Sequence, residues 1–259
     1  PGTLTEKWLE TMLSAGLNRL SLGVQAAQDS LLRRIGRIHT FREAEAGIRL
    51  AQRMGIDNIN ADVMYGLPGQ TQQDYLETLE RLCTLEVTHL SAYSLILEEG
   101  TPLTRMVEEG TLTVPDDDAC AEMTEKGIAL LAKNGFRQYE ISNYAKPGYA
   151  CRHNMGYWQG AWYLGLGAAA HGMVPPLAAD RQQGAVRVRI ANPAEVGAYI
   201  RLSPDQPVER TLITEEEAMF ETLMLGLRMN EGVSLAGFEK LHGQSLTGRY
   251  GDRLESLIR

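Results

Sequence analysis

The sequence predicts an α/β fold: a partial parallel (β/α) barrel followed by a mainly helical C-terminal region. Three observations carry that expectation. Three segments alternate apolar and polar residues with the period of two that a pleated strand needs. Helix-length stretches separate them, as parallel crossovers require. Each segment also keeps one polar face, whereas the strands of a closed parallel sheet are apolar almost throughout. An antiparallel sheet with one solvated side would show the same faces. The helix-length spacers favour a barrel whose lumen holds a polar ligand.

Taken in order, Thr3 to Glu6 fits a capping box, and Trp8, Leu9, Met12 and Leu13 form an apolar stripe that ends at Gly16. The first strand, 18–25, sets Leu20, Leu22 and Val24 against Arg19, Ser21, Gly23 and Gln25. A short helix over 29–35 closes at Gly36, and Thr40 with Glu43 opens another that runs to Gly55. The second strand, 57–65, sets Ile59, Ala61, Val63 and Tyr65 against Asn60, Asp62 and Met64. Gly66 and Pro68-Gly69 turn the chain, and Thr71 with Asp74 begins a helix to about Leu85. The third strand, 88–96, sets His89, Ser91 and Tyr93 against Leu90, Ala92 and Ser94. A loop at 98–102 follows, then a helix opened by Pro115 and the acids Asp116 to Asp118 and ended by Gly135. A fourth strand over 137–144 is expected beside the third, parallel to it.

The pattern changes after Lys146, which divides the chain into a barrel part, 1–146, a glycine- and aromatic-rich segment, 147–212, and a helical C-terminal domain, 213–259. A short strand is expected at 185–190. Thr214 with Glu217 caps a helix to about Met229, and Ser234 starts another.

With 259 residues, 44% of them hydrophobic, the chain can bury one large domain or one with a smaller companion. A net charge of -8 argues against nucleic acid or an anionic membrane as the main partner. No apolar run reaches the roughly 20 residues of a transmembrane helix, so no integral membrane segment is expected. Cys83, Cys120 and Cys151 are odd in number and far apart, neither a disulfide framework nor a CxxC metal site, and suit a reducing cytoplasm. Pro1 is not an initiator methionine and Arg259 falls inside a helical pattern, so a chain cut at both ends is expected.

Gln25, Arg37 and Asp62 are the polar groups best placed for a ligand: an amide, a guanidinium and a carboxylate at strand ends and in the loop Ile35-Gly36-Arg37-Ile38-His39. Together they suit a zwitterion carrying hydroxyls. Spacing alone reads equally as a surface arginine and a capping aspartate.

The same residues carry a family resemblance. Ser21-Leu22-Gly23-Val24-Gln25, Ile35-Gly36-Arg37-Ile38-His39 and Asp62-Val63-Met64-Tyr65-Gly66-Leu67-Pro68-Gly69-Gln70 resemble radical S-adenosylmethionine (SAM) proteins of the oxygen-independent coproporphyrinogen III oxidase superfamily. His89 to Leu95, Tyr139-Glu140-Ile141-Ser142-Asn143-Tyr144 and Gly165-Leu166-Gly167 continue the likeness in order along most of the chain. His153-Asn154-Met155-Gly156-Tyr157-Trp158 fits the HNxxYW motif, which points to the haem-chaperone branch of that superfamily.

The resemblance implies SAM as a cofactor, contacted by Gln25, Arg37 and Asp62, with the backbone near Ile96 passing the adenine. It implies haem or a porphyrin as a ligand, with His153 as the candidate haem-iron ligand, and haem-requiring respiratory proteins as partners. SAM-dependent oxidative decarboxylation of coproporphyrinogen III is the alternative activity. The family's [4Fe-4S] cluster sits on a CxxxCxxC loop that this chain lacks, so its ligands are expected outside the chain. Among the remaining polar residues, Cys151 is a soft ligand candidate that reads more simply as a bystander, and His171 reads as structural.

Overall fold

In this computed structural model, residues 2, 4–202 and 208–258 are described, and the chain divides into two compact units, Pro1–Ala150 and Cys151–Arg259. The first unit runs α1 (Glu6–Ser14), β1 (Leu20–Gln25), α2 (Asp29–Arg34), α3 (Phe41–Arg53), β2 (Ile59–Tyr65), α4 (Gln72–Thr84) and β3 (His89–Ser94). It continues through α5 (Pro102–Glu108), α6 (Asp117–Lys133), β4 (Arg137–Glu140) and β5 (Asn143–Ala145). Thr3 lies outside the described residues; the cap of α1 is Thr5, whose hydroxyl accepts from the Trp8 amide.

The strands order β1-β2-β3-β5-β4. β1, β2 and β3 pair in parallel, with Leu20 opposite Ile59 and Asn60 opposite His89. The expected fourth parallel strand is corrected: 137–144 folds as a tight β4–β5 hairpin, and β5 runs antiparallel to β3. Residues 141 and 142 break the alternation, so the returning arm takes the position beside β3. The sheet is a partial, open barrel.

Its apolar face builds the main core. Leu20, Leu22, Val24, Ile59, Ala61, Val63, Leu90 and Ala92 meet Phe41, Ala44 and Ile48 of α3, Tyr75, Leu79 and Leu82 of α4, and Met123 and Leu131 of α6. Burying side chains of this size contributes about 1.5–3 kcal/mol each before the entropy cost of ordering them. α6 closes against α4 at Gly127, where an added Cβ would sit 2.9 Å from the Tyr75 ring. Reciprocal capping boxes start α3 at Thr40 and Glu43 and α4 at Thr71 and Asp74.

The second unit contains α7 (Arg152–Trp158), β6 (His171–Val174), α8 (Ala178–Gln182), β7 (Ala185–Ala191), α9 (Val196–Ile200) and β8 (Glu209–Thr214). α10 (Glu215–Gly226), α11 (Leu235–His242) and α12 (Leu246–Ile258) follow. β6, β7 and β8 form an antiparallel sheet in that order. The sequence predicts only its β7 part, since β6 has four residues and β8 runs into the cap of α10. Met219, Phe238 and Leu246 are buried where α10, α11 and α12 pack. Among the described residues no helix is long and apolar enough to cross a membrane.

Candidate functional site

The polar face of the sheet in the first unit is a continuous hydrogen-bonded row. Asn60 Nδ2 donates to Ser21 Oγ and to Asp62 Oδ1, each at 2.7 Å, and Ser21 Oγ donates to Asp62 Oδ2 at 3.3 Å. Asn60 Oδ1 lies 2.6 Å from His89 Nδ1, and His89 Nε2 lies 2.8 Å from the Tyr139 hydroxyl. Ser91 Oγ donates to Asn143 Oδ1 at 2.7 Å, and Asn143 Nδ2 donates to the buried Glu140 carboxylate. Gly23, Asp62 and Ser91 are directly opposite across β1, β2 and β3. The row therefore follows from strand register.

Burial, with the Arg19 charge adding to it, lowers the pKa of His89 to about 3. The ring is neutral at ordinary pH, and because the Asn60 oxygen can only accept, the proton sits on Nδ1. Nε2 then accepts from Tyr139.

At the C-terminal end of β1 the pairing slips between Gly23 and Gln25. Gln25 has φ 69, and the Ala26 amide donates back to the Val24 carbonyl at 2.9 Å, a γ-turn centred on a non-glycine residue. Such backbone costs about 1–3 kcal/mol and persists where surrounding contacts impose it. The Gln25 side chain folds back over Gly23, where an added Cβ would meet its Nε2 at 2.9 Å. Its Oε1 accepts from the Tyr93 hydroxyl at 3.3 Å.

Arg37 is exposed and follows the C-terminus of α2, where Gly36 (φ 71) takes the left-handed position. The Gly36 amide donates to Arg33 O at 3.1 Å and the Arg37 amide to Leu32 O at 2.9 Å, a Schellman closure that fixes the loop. The charge of Arg37 is felt at Tyr93. Burial and then the Asp62 carboxylate raise the pKa of that hydroxyl, while the Gln25 hydrogen bond and Arg37 lower it. Tyr93 thus bonds Gln25 directly and feels the opposite charges of Asp62 and Arg37.

Ile96 follows the C-terminal end of β3 with its side chain 78% exposed, and the Leu95 amide beside it is held by Tyr65 O at 2.9 Å. The turn after β2 is fastened by Gln70, which accepts from the Leu67 amide at 3.1 Å and donates to Met64 O at 3.2 Å. Arg34 Nη1 donates to Pro68 O at 3.0 Å, tying α2 to the same turn. These loops sit at the C-terminal ends of parallel strands, the edge at which open α/β sheets bind ligands.

The second unit presents His153 on α7, exposed, with its ring edge-on to Tyr157 at 4.8 Å, and Tyr157 in turn edge-on to Tyr163 at 4.7 Å. Trp158 closes the helix with the Arg228 guanidinium 4.4 Å over its ring. Cys151 is the half-buried N-cap of α7, and His171 is exposed at the start of β6.

The radical SAM superfamily model matches residues 1–82, and the HemN C-terminal domain model matches residues 213–259. The chain belongs to the radical SAM superfamily, in its oxygen-independent coproporphyrinogen III oxidase-like family. It is 32% identical over 259 residues to the Heme chaperone HemW of Lactococcus lactis, covering 100% of this chain and 65% of that protein. It is 36% identical over 260 residues to the Heme chaperone HemW of Bacillus subtilis, covering 99% of this chain and 66% of that protein. The chain thus spans just under two thirds of the length of these curated relatives. Coproporphyrinogen III oxidase (HemN) from Escherichia coli, a radical SAM enzyme, matches 98% of this chain and 59% of its own with a TM-score of 0.78. At 19% identity that likeness shows the fold alone.

The family implies SAM and a [4Fe-4S] cluster. Among the described residues no three His, Cys, Asp or Glu side chains group where they could hold a metal ion. The SAM half fits better. Asp62 accepts two hydrogen bonds, which leaves lone pairs for a ligand's hydroxyls, while Gln25 and Arg37 carry donor groups at the same end of the sheet.

Proposed function

We propose that this chain is the haem-binding part of a radical SAM haem chaperone that passes haem to haem-requiring respiratory proteins in the cytoplasm. The observation that carries the reading is His153. Its imidazole is exposed at the start of α7, and neither ring nitrogen is engaged in a hydrogen bond with a described residue. Either can therefore bind iron as a neutral ligand. Tyr157 and Trp158 on the same short helix offer aromatic area to a porphyrin face. The likeness to proteins named Heme chaperone HemW supports the same assignment. In this reading Gln25, Arg37 and Asp62, with the backbone at Ile96, hold SAM: Asp62 accepts from ribose hydroxyls, Arg37 grips the carboxylate, and Gln25 serves either group. A [4Fe-4S] cluster, which the family implies, would supply the electron that such chemistry uses when bound. Coproporphyrinogen oxidation has the shared fold as its support.

The test is a haem titration of the purified chain. A Soret band shifted from that of free haem is expected, weakened by His153→Ala and nearly unchanged by Tyr157→Phe, which removes a hydroxyl and keeps the ring. Cys151→Ser should leave the ferric spectrum unaltered; a change would assign iron to the thiolate. A folded His153→Ala variant that binds haem as well as the parent overturns the assignment.

A further inference from the structure

Arg187 on β7 differs from two other arginines of the second unit's sheet. Arg189, two residues on, pairs with Glu221 at 2.6 Å, and Arg210 pairs with Asp180 at 2.6 Å. Arg187 is only 6% exposed, yet its guanidinium meets no carboxylate and no hydrogen-bond acceptor among the described residues. What it does meet is the face of Trp162, 5.6 Å from the ring centroid, and it lies beside the side-chain-free position of Gly160. Taking a guanidinium largely out of water without an acceptor is costly. The Arg187 nitrogens are not among the fully buried polar atoms left without a partner, so they keep access to solvent and to an incoming acceptor.

Gly160 keeps the guanidinium approachable. Its φ is 69, and an added Cβ would lie 3.0 Å from Arg187 Nη1. Any other residue there would be strained and would crowd that nitrogen. Gly160 also relates Arg187 to His153. His153, Tyr157 and Gly160 follow at spacings of four and three, so they share one side of α7 and its C-terminal turn, and the ring contact of His153 with Tyr157 confirms that side. At about 1.5 Å of rise per residue, His153 and Gly160 stand roughly 10 Å apart along the helix. A metal ligand and a guanidinium thus flank a run of aromatic rings formed by Tyr157, Tyr163 and Trp162.

We propose that Arg187 is a carboxylate-binding residue, receiving an acidic side chain on the rim of the porphyrin whose iron His153 ligates. The inference rests on the haem reading above and adds to it the chemical class recognised: a metalloporphyrin with free carboxylates, not a neutral one. Arg suits the task because its planar fork offers a carboxylate two parallel donors.

The test compares ferric protoporphyrin IX with its dimethyl ester, each titrated into the full chain from dimethyl sulfoxide and followed by the Soret band. The ester keeps the iron and the ring and removes only the acidic groups. The parent should bind the diacid about ten- to a hundredfold more tightly, the span of one charge-assisted hydrogen-bonded pair. Arg187→Gln should bring the diacid down to the affinity of the ester and leave the ester unchanged, with Arg187→Lys restoring part of the difference. Equal affinity of the parent for both porphyrins overturns the proposal, and so does an equal loss for both in Arg187→Gln, which would mark Arg187 as packing. The parent comparison needs no variant to fold. If His153→Ala abolishes the shift while the parent treats the two porphyrins alike, the haem reading stands and the Arg187 assignment fails. If neither porphyrin shifts the band, both fall.

Discussion

His89 Nδ1 stands 2.6 Å from Asn60 Oδ1, and this one contact sets the direction of the protons along the polar row of the sheet. With that oxygen accepting, both hydrogens of the Asn60 amide point the other way, to Ser21 and Asp62. The Asp62 carboxylate is thereby held by Asn60 and Ser21, one to each oxygen. Asn60→Ala leaves the His89 N–H and one Asp62 oxygen without partners. At about 1–3 kcal/mol for each orphaned group, urea unfolding should show a loss of roughly 2–4 kcal/mol. Asn60→Ala melting within 0.5 kcal/mol of the parent would mean that water replaces the amide at little cost.

Acid sensitivity follows from the same ring. Burial holds the His89 pKa at about 3 against an ordinary 6.5. Between those values the unfolded chain binds a proton there and the folded chain does not, so stability rises with pH. Its contribution is complete above about 6.5 and is lost as pH falls toward 3, with a slope of at most about 1.4 kcal/mol per unit. His39, lowered mainly by burial, bends the profile the same way. Denaturant midpoints measured from pH 7 to pH 4 should fall, and His89→Gln should flatten the decline while lowering stability at pH 7. An unchanged slope in that variant would assign the acid limb to other groups.

Cys83 gives a separate chemical check. Burial pushes its thiol pKa up to about 11, against a smaller opposing effect of Lys146. At pH 8 roughly one molecule in a thousand then carries the reactive thiolate there. An aromatic disulfide reagent should modify Cys83 in the native chain at least a hundredfold more slowly than in the urea-unfolded chain, as mapped by peptide mass. Rapid native labelling would show that α4 opens locally.

The sequence exposed one part of this site more clearly than the rest. The parity of Asn60 and Asp62 in β2, and of His89, Ser91 and Tyr93 in β3, is a period-two signal, and the parallel register turns it directly into a row. That the row would be hydrogen-bonded end to end depends on side-chain length and on the Asn143 arm of the β4–β5 hairpin, which alternation alone does not encode. The turn at Gln25 leaves no trace either, since glutamine is an unexpected residue at positive φ. In the second unit the alternation of Ala185-Val186-Arg187-Val188-Arg189 suggests arginines facing water. Arg187 is buried beside an aromatic ring instead, and Arg189 is half-buried by an ion pair to α10. Packing between elements distant in sequence decides that.

The strained turn and the hydroxyl above it should be energetically coupled. Tyr93 donates to Gln25 Oε1, and Gln25 is 3% exposed, so Tyr93→Phe leaves a buried amide oxygen short of a partner. That should cost about 1–2 kcal/mol. Gln25→Gly removes the same hydrogen bond but also relieves φ 69, since glycine takes that conformation freely. The relief offsets roughly 1 kcal/mol, so this variant should lose less than its buried side chain suggests. In the Gln25→Gly background no amide oxygen remains to be orphaned, and Tyr93→Phe should then be nearly neutral. The double-mutant cycle is therefore expected to give a coupling of about 1 kcal/mol in urea unfolding. A coupling near zero would mean that the 3.3 Å contact contributes nothing and that the packing of Ala26 and Leu67 below the turn holds Gln25 in place.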